Sequence, residues 1–226
     1  IQRRGYASAL TSDAVLGVIG DGLLGRIAIT YVEWAGPGSH RVLVDWTTIA
    51  GPEEAARVAA LLMQARPVGM QRTSISSALD YAADTLRSNG FQGLRRVVDI
   101  SGDGPNNSGT PVEPARDRLL AQGVTINGLP LMTEEGVGSR WSLDDLDVYY
   151  RDCVIGGHGA FMIPVRSWDE FADAVRRRIV LEIAAAQPQV IPAGTVLTRP
   201  AAGRSPAADC LAGEKTWERF RNQWEP

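Results

Sequence analysis

The sequence lacks long apolar runs and an excess of positive charge. It also contains few residues of the types that bind transition metals. Its 226 residues include two cysteines and two histidines, and 23 Lys and Arg against 26 Asp and Glu give a net charge of −3. Without a cationic excess there is little to release counterions from a phosphate backbone, which argues against nucleic-acid binding. No apolar segment approaches the roughly 20 residues that span a bilayer. Two cysteines are too few for a disulfide framework or a structural zinc site.

Familiar catalytic and nucleotide-binding motifs occur only in part. Residues 20–25 fit the string G-x-G-x-x-G, but they follow a predicted helix and precede a predicted strand, the reverse of a dinucleotide site. Residues 99–104 have the start of a calcium loop, but Thr110 stands where a bidentate Glu is required. His40 and His158 lack zinc-ligand spacing, and no G-x-S-x-G occurs. Nucleotide binding and metal- or serine-hydrolase chemistry are therefore not expected.

Hydrophobic periodicity predicts an α/β fold. Two β-branched and aromatic segments flank a Gly-Pro-Gly turn and predict an antiparallel hairpin at a sheet edge, with Val42, Val44 and Trp46 on one face. Helices and short apolar strands then alternate, which is typical of a doubly wound, mostly parallel sheet with helices on both faces. The predicted strands are 26–34, 41–47, 97–101, 124–131 and 161–165. The predicted helices are 1–19 in two pieces, 52–66, 75–86, 111–123 and 144–154, and one from 168, with capping boxes at 110–113 and 167–170.

The composition changes after this α/β region. Residues 1–186 are predicted to form one domain. Residues 187–209 hold four of the 13 prolines and predict an extended tail. Residues 210–226 predict a short amphipathic helix, because Trp217, Phe220 and Trp224 recur at helical spacing. We expect this helix to dock on its own domain or on a partner.

Two polar loops fall where an open parallel sheet binds ligands, beyond the carboxyl ends of its strands. Thr73 precedes a predicted helix, and Asp103 follows a buried strand in a Gly- and Asn-rich turn. A hard divalent cation takes carboxylate, hydroxyl and water oxygens of this kind. The same residues also allow a structural interpretation, in which Thr73 only caps its helix and Asp103 only stabilises a turn.

The stretches TSISSAL and VVDISGDGPNN resemble the second and third ion-binding loops of von Willebrand factor type A-like domains. More narrowly, RIAITYVEWAG, SGDGPNNSG, TINGLPL and YYRDCVIGGHGAF resemble an uncharacterised branch of exported bacterial proteins with this fold, over residues 1–186 and the CLAGEK segment. The resemblance implies a periplasmic or secreted protein-binding module without enzymatic activity. It also implies a metal-ion-dependent adhesion site for Mg²⁺, Mn²⁺ or Ca²⁺, with Thr73 and Asp103 as ligands.

The chain departs from this family in two ways. The Asp-x-Ser-x-Ser loop and the first central strand that carries it have no counterpart in the 226 residues, and Ile1 is expected to lie inside the following helix. Removing that strand would expose two backbone edges and a strip of core, so we expect the natural protein to contain it. In addition, Arg72 precedes Thr73, and a guanidinium 4 Å from a cation repels it by about 1 kcal/mol in water. The alternative is therefore a structural or assembly subunit with a vestigial ion site.

Cys153 and Cys210 allow either one bridge or two free thiols. We predict the bridge, which would tie the tail to the last helical unit and contribute roughly 3–4 kcal/mol in the loop-entropy model. Such a bridge implies an oxidising compartment, in line with the export that the resemblance implies. A third hypothesis, a hydrolase using Ser101 and Asp103, is the least favoured. No histidine lies close to these residues in sequence, and no second acid lies in the same loop to act as a general base.

Overall fold

The computed structural model describes residues 1–66, 68, 69, 71–133, 143–184 and 207–224, except for the side chains of residues 223 and 224. Most of the predicted tail at 187–209 lies outside the described residues. The strands are β1 Ile27–Trp34, β2 His40–Ile49, β3 Val97–Gly102 and β4 Thr125–Pro130. The helices are α1 Gln2–Leu10, α2 Asp13–Asp21, α3 Pro52–Gln64, α4 Ile75–Ser88, α5 Val112–Ala121, α6 Leu146–Tyr149, α7 Phe171–Ala184 and α8 Ala212–Trp224.

β1 and β2 form the predicted antiparallel hairpin. Its register runs from Ile27 opposite Ile49 to Trp34 opposite His40, with two irregularities near Tyr31. The prediction that Val42, Val44 and Trp46 share one face of the hairpin was wrong. Val44 is fully buried whereas Val42 is 44% exposed. The irregularities insert extra residues on β2, and each insertion reverses the face on which the following side chains lie.

β3 and β4 are parallel, from Val97 opposite Thr125 to Gly102 opposite Pro130. The predicted strand at 161–165 is reduced to isolated bridges, Gly128 with Met162 and Leu131 with Val165. The loop that carries these bridges follows the edge of β4 without forming a continuous ladder.

Three predicted helix starts differ in detail from the structure. The capping box at 110–113 is absent, since Pro111 is the N-cap of α5 and makes no side-chain capping bond. The predicted helix at 144–154 consists of α6 followed by a π-helical turn, Tyr150–Val154. α7 is preceded by a 3₁₀ turn, Trp168–Glu170, and there Ser167 Oγ accepts a bond from the Asp169 N–H as a capping residue does.

Helices cover both faces of the strands, as the doubly wound α/β prediction requires. One apolar cluster joins α1, α3 and α7 to the hairpin and includes Tyr6, Val44, Leu62 and Phe171. A second joins α4, α5 and the π-helical turn to β3 and β4, with Leu79, Leu119 and Ile126 among its members. Each cluster is a separate layer of the core, and the strands lie between them.

Among the described residues, β1 pairs only with β2 and β3 only with β4. Residues of both strands line a common cavity of about 930 Å³, which we call the slot. The two strands run in the same direction, because both end near Ser74. Its N–H donates to the Ala35 carbonyl just after β1, and the neighbouring Thr73 carbonyl accepts from Asn107 in the loop that follows β3. The described residues provide no strand in the slot, the position of the expected first central strand.

Candidate functional site

The two predicted ligand loops are joined at one end of the strands. The Thr73 carbonyl accepts hydrogen bonds from the backbone N–H groups of Asn107 at 2.8 Å and Ser108 at 3.3 Å. In return, the Thr73 N–H donates to Asn107 Oδ1 at 2.9 Å. We call the surface formed by residues 72–74 and 103–108 the loop face.

Ser74, not Thr73, is the N-cap of α4. Ser74 Oγ accepts from the Ser77 N–H at 3.3 Å, and the residue is fully buried. The structural interpretation in which Thr73 caps this helix is therefore wrong. The signal was present in the sequence: four hydroxyl residues surround the helix start, and the one just before the first helical position makes the cap.

Asp103 immediately follows β3 and is exposed. Thr73 and Asp103 both line the slot. Asp103 begins the loop whose Asn107 and Ser108 bond the Thr73 carbonyl. The two predicted residues therefore lie at the same end of the molecule. Next to them, burial raises the pKa of the Tyr150 hydroxyl, and the negative charge of Asp103 adds to that shift.

Asn106 organises the loop after β3, a role that its sequence position alone did not reveal. It is fully buried, and its Oδ1 accepts from the Ser76 N–H at 3.1 Å. Its Nδ2 donates to the Thr110 carbonyl at 3.0 Å and to Glu214 Oε1 at 2.6 Å. Its backbone N–H donates to the Tyr149 hydroxyl at 3.2 Å. Asn106 therefore fixes the loop and has little remaining capacity to bind a ligand.

α8 docks on the loop face of its own domain. Gly213 lies so close to the Asn106 carbonyl that an added Cβ would be 2.0 Å from its oxygen. Glu214 is half-buried, burial raises the pKa of its carboxyl, and its Oε2 has no hydrogen-bond partner among the described residues. The guanidinium of Arg72 lies 4.7 Å from the centre of the Trp217 ring, a cation–π contact. Arg72 also adopts φ of 71°, a left-handed conformation that is uncommon outside glycine.

A disulfide joins Cys153 and Cys210, as expected, with the two Cα atoms 5.5 Å apart. Cys153 is fully buried in the π-helical turn, and Cys210 precedes α8. Nearby, the Ala208 N–H donates to Asp152 Oδ2 at 2.9 Å. The start of α8 is thus attached covalently and by a hydrogen bond to the π-helical turn, which contains Tyr150 and directly follows Tyr149.

The loop face fits part of a divalent-cation site. Asp103 offers an exposed carboxylate and Thr73 a hydroxyl, the oxygen ligands that Mg²⁺ and Ca²⁺ prefer. The described residues contain no group of three His, Cys, Asp or Glu side chains placed to hold a metal ion. Waters or the carboxylate of a partner would therefore have to complete the coordination. The Arg72 guanidinium lies over the Trp217 ring, so the positive charge of Arg72 is held by that contact.

The arrangement does not favour the hydrolase hypothesis. Ser101 Oγ lies 3.4 Å from the Tyr6 hydroxyl, and His40 Nε2 lies 3.3 Å from Ser77 Oγ. The His40 ring stacks on Tyr81, with ring centres 4.5 Å apart. Neither described histidine side chain makes a hydrogen bond to Ser101, so no histidine is placed to activate this hydroxyl among the described contacts.

A family model described as "Protein of unknown function (DUF1194)" matches residues 1–187. No curated protein matches the chain. The open conformation of the pilus adhesin SpaC from Lactobacillus rhamnosus GG is a similar solved structure, with a TM-score of 0.55 and 10% identity over 80% of this chain and 28% of the adhesin chain. Proximal thread matrix protein 1 from the mussel byssus is similar at a TM-score of 0.47 and 14% identity, over 79% of this chain and 42% of that one.

The same byssus protein with a zinc-occupied MIDAS motif is similar at a TM-score of 0.46 and 14% identity, over 79% of this chain and 43% of that one. The chain therefore spans less than half the length of each of these three solved chains. The likeness to the adhesin supports the fold, which is von Willebrand type A-like. No part of the described chain forms a helix long and apolar enough to cross a membrane.

Proposed function

Because the chain belongs to the DUF1194 family of proteins of unknown function and has a von Willebrand type A-like fold, we propose that it is an extracytoplasmic module that binds another protein. The partner docks on the loop face. One observation carries the proposal: Thr73 and Asp103 both line the slot, and they lie on two loops that hydrogen-bond to each other.

We further propose that a divalent cation, Mg²⁺, Mn²⁺ or Ca²⁺, takes part in this binding. Thr73 Oγ1 and the Asp103 carboxylate would hold it. The cation would attract an acidic side chain of the partner, because a hard cation with few protein ligands retains positions for further oxygens. The Arg72 guanidinium is held over the Trp217 ring. Its positive charge therefore does not contact the cation directly.

Calorimetric titration of Mg²⁺ or Mn²⁺ into the full chain tests the cation. Asp103→Ala is the test variant. Asp84→Ala is the matched control, because Asp84 is an exposed carboxylate on α4 that pairs only with Arg87 among the described contacts. We expect binding heat for the unchanged protein and the control, and none for Asp103→Ala. Equal heat in all three proteins, or none in any, would remove the cation from the proposal.

Protein binding is tested by retention of partners on the immobilised chain. We expect a partner that the unchanged chain and Asp84→Ala both retain and that Thr73→Ala and Asp103→Ala both lose. A partner that all four proteins retain equally would place the binding surface elsewhere.

A second candidate is a structural or assembly subunit with a vestigial ion site. The contacts of α8 with the loop face favour this candidate, because Glu214 contacts Asn106 and Trp217 contacts Arg72. In this case α8 makes the important contacts with the rest of the assembly. Deletion of residues 210–226 in a Cys153→Ala background would then abolish retention in that assembly. Unchanged retention would contradict this candidate.

The proposed extracytoplasmic location is supported by the disulfide, because such bonds persist in oxidising compartments. We propose a binding role without catalysis, since Ser101 and Asp103 have no adjacent histidine base among the described contacts.

A further inference from the structure

The helix α8 is attached to the domain at the loop face and not through the hydrophobic core. Among the described residues, neither apolar cluster has a member from α8. Instead, Glu214 accepts a hydrogen bond from Asn106, Trp217 covers the Arg72 guanidinium, and Gly213 packs against the Asn106 carbonyl. Arginine, tryptophan and charge-assisted hydrogen bonds are typical of the central contacts between two proteins. α8 therefore contacts its own domain in the way that a bound partner would.

These contacts form a pattern along one face of the helix. Glu214 and Trp217 are three positions apart, so their side chains lie on the same side of α8. Gly213 directly precedes Glu214 at the point of closest approach, where even a Cβ would collide with the Asn106 oxygen. Glu218 and Arg221 are exposed. The loop face therefore accepts a helix that presents a small residue, a carboxylate next to it, and an aromatic ring three positions after the carboxylate.

The docked state of α8 contains an unfavourable element. Glu214 is half-buried, burial raises the pKa of its carboxyl, and its Oε2 has no hydrogen-bond partner among the described residues. Removing a carboxylate oxygen from water without a partner costs free energy. On the other side of the contact, Arg72 has φ of 71°, in a region where non-glycine residues occur mainly at binding and functional sites. A helix that satisfied both oxygens of its carboxylate would bind this surface better than α8 does.

The loop face keeps its own hydrogen bonds when α8 is removed. Asn106 Nδ2 also donates to the Thr110 carbonyl, and Asn106 Oδ1 accepts from the Ser76 N–H. The Thr73 carbonyl accepts from the Asn107 N–H, and the Thr73 N–H donates to Asn107 Oδ1. None of these bonds involves α8. Release of the helix would therefore expose a surface that is already ordered, which lowers the entropic cost of binding a replacement.

The disulfide determines how strongly α8 competes for this surface. Cys210 precedes Gly213 by three positions and is bonded to Cys153. The bridge holds the start of α8 beside the loop face, and so gives the helix a high effective concentration there. Only a partner that binds more tightly than α8 would replace it while the bridge is closed.

We propose that α8 is an internal occupant of the loop face, and that the partner is a protein whose own helix replaces it by presenting the same pattern of a small residue, Glu, and an aromatic residue three positions after the Glu. This inference rests on the proposed function, because it specifies the partner that docks on the loop face. Among the described hydrogen bonds, Glu214 contacts Asn106 and not Thr73 or Asp103. The helix and the proposed cation therefore use different parts of the loop face.

The probe is a synthetic peptide of residues 211–224, acetylated, amidated and carrying a fluorescent label. The test protein is the full chain with Glu214→Ala and Trp217→Ala, which weaken the attachment of its own α8. The matched control is the full chain with Glu218→Ala and Arg221→Ala, at exposed positions of the same helix. Fluorescence anisotropy measures binding, and hydrogen exchange locates it. We expect the test protein to bind the peptide at least about tenfold more tightly than the unchanged chain and the control do. Exchange should slow at residues 72–77 and 103–110.

Two further proteins and one peptide complete the experiment. Gly213→Ala displaces α8 by collision and leaves Glu214 and Trp217 in place, so this chain should also bind the peptide. The test protein with Asp103→Ala added should bind the peptide as tightly as the test protein does. A peptide with Glu214→Ala and Trp217→Ala should bind none of the proteins.

Equal peptide affinity of the unchanged chain and the test protein, no binding by either the test protein or Gly213→Ala, or protection outside the two loops would overturn the proposal. Dimers of the unchanged chain formed by exchange of α8 would also overturn it, since the occupant would then be a second copy. Partner retention that depends on Thr73 and Asp103, without peptide binding, would contradict this inference alone. Peptide binding at the loop face without retention of any protein partner would contradict the proposed function and leave α8 as the internal occupant.

Discussion

Asn106 Nδ2 donates a hydrogen bond to Glu214 Oε1 at 2.6 Å, across 108 positions of sequence. This bond connects the loop after β3 to the helix nearest the end of the chain. Because the same Asn106 also bonds Ser76 and Tyr149, α8 is connected to the organising residue of the loop face. Changes in α8 should therefore be detectable at the loops that carry Thr73 and Asp103.

Gly213→Ala should release α8 from the loop face. The added Cβ would be 2.0 Å from the Asn106 oxygen, and overpacking of this kind costs about 1–3 kcal/mol. Gly17→Ala is the matched control, because Gly17 is in α2 and nothing lies within 4 Å of its added Cβ. The control should gain about 0.5–1 kcal/mol from the better helix former. Thermal unfolding and protease sensitivity near residue 210 measure both variants, and equal behaviour of the two would contradict the close packing.

Glu214→Gln should change how stability depends on pH. Burial raises the pKa of the Glu214 carboxyl in the folded state, so the native protein holds this proton more tightly than the unfolded chain does. The corresponding stabilisation is present at low pH, below the unfolded pKa, and is lost as the pH rises through the folded pKa. The neutral Gln retains an oxygen to accept from Asn106.

We therefore expect Glu214→Gln to be more stable than the unchanged chain at pH 7 and the difference to shrink toward pH 4 in urea titrations. Glu218→Gln is the control, since Glu218 is exposed on the same helix. A pH-independent difference, or the same profile in the control, would contradict the explanation by burial.

Loss of the disulfide should lower stability substantially. Cys153 and Cys210 are 57 positions apart, and closure of a loop of this length contributes about 4 kcal/mol in the loop-entropy model. The double variant Cys153→Ala/Cys210→Ala should unfold at a lower urea concentration. Reduction of the unchanged chain should give the same shift, which separates the bridge from the cavity left by a truncated side chain. Two reactive thiols in the denatured, non-reduced protein would refute the bridge.

Acidification should destabilise the hairpin through His40. Burial lowers the pKa of the His40 imidazole in the folded state, so the unfolded chain binds this proton more readily. Stability contributed by neutral His40 is present above the unfolded pKa near 6.5 and declines as the pH falls through it. His40→Phe can keep the stack on Tyr81 and should weaken the dependence of folding stability on pH between pH 7 and 5. The control variant His158→Gln should leave that dependence unchanged. Unfolding curves at several pH values check this.

Local patterns predicted the order of helices and strands because each depends on residues close in sequence. The hairpin and the strand–helix alternation followed from periodicity and turn residues. Periodicity could not locate the two irregularities opposite Tyr31, which depend on how β1 and β2 pair. It also predicted a continuous strand at 161–165, although only Met162 and Val165 form bridges there.

At the loop face, sequence reasoning identified Thr73 and Asp103 by residue type, but missed the groups that hold them. Ser74 caps α4 because it, and not Thr73, lies next to the first helical residue. The contacts of Asn106 and Arg72 with α8 join segments more than 100 residues apart, and no local pattern encodes such a pairing. Charge alone predicted that Arg72 repels a cation, whereas its position is determined by the aromatic ring of Trp217.

The π-helical turn Tyr150–Val154 follows Tyr149 directly and contains Cys153. The short segment 149–154 therefore contacts two parts of the chain. The Tyr149 hydroxyl accepts a hydrogen bond from the loop after β3, and the disulfide of Cys153 holds the start of α8. Relative displacement of the loop and the helix would require the turn itself to deform. Thermal fluctuations of these two distant segments should consequently be correlated in amplitude and in time.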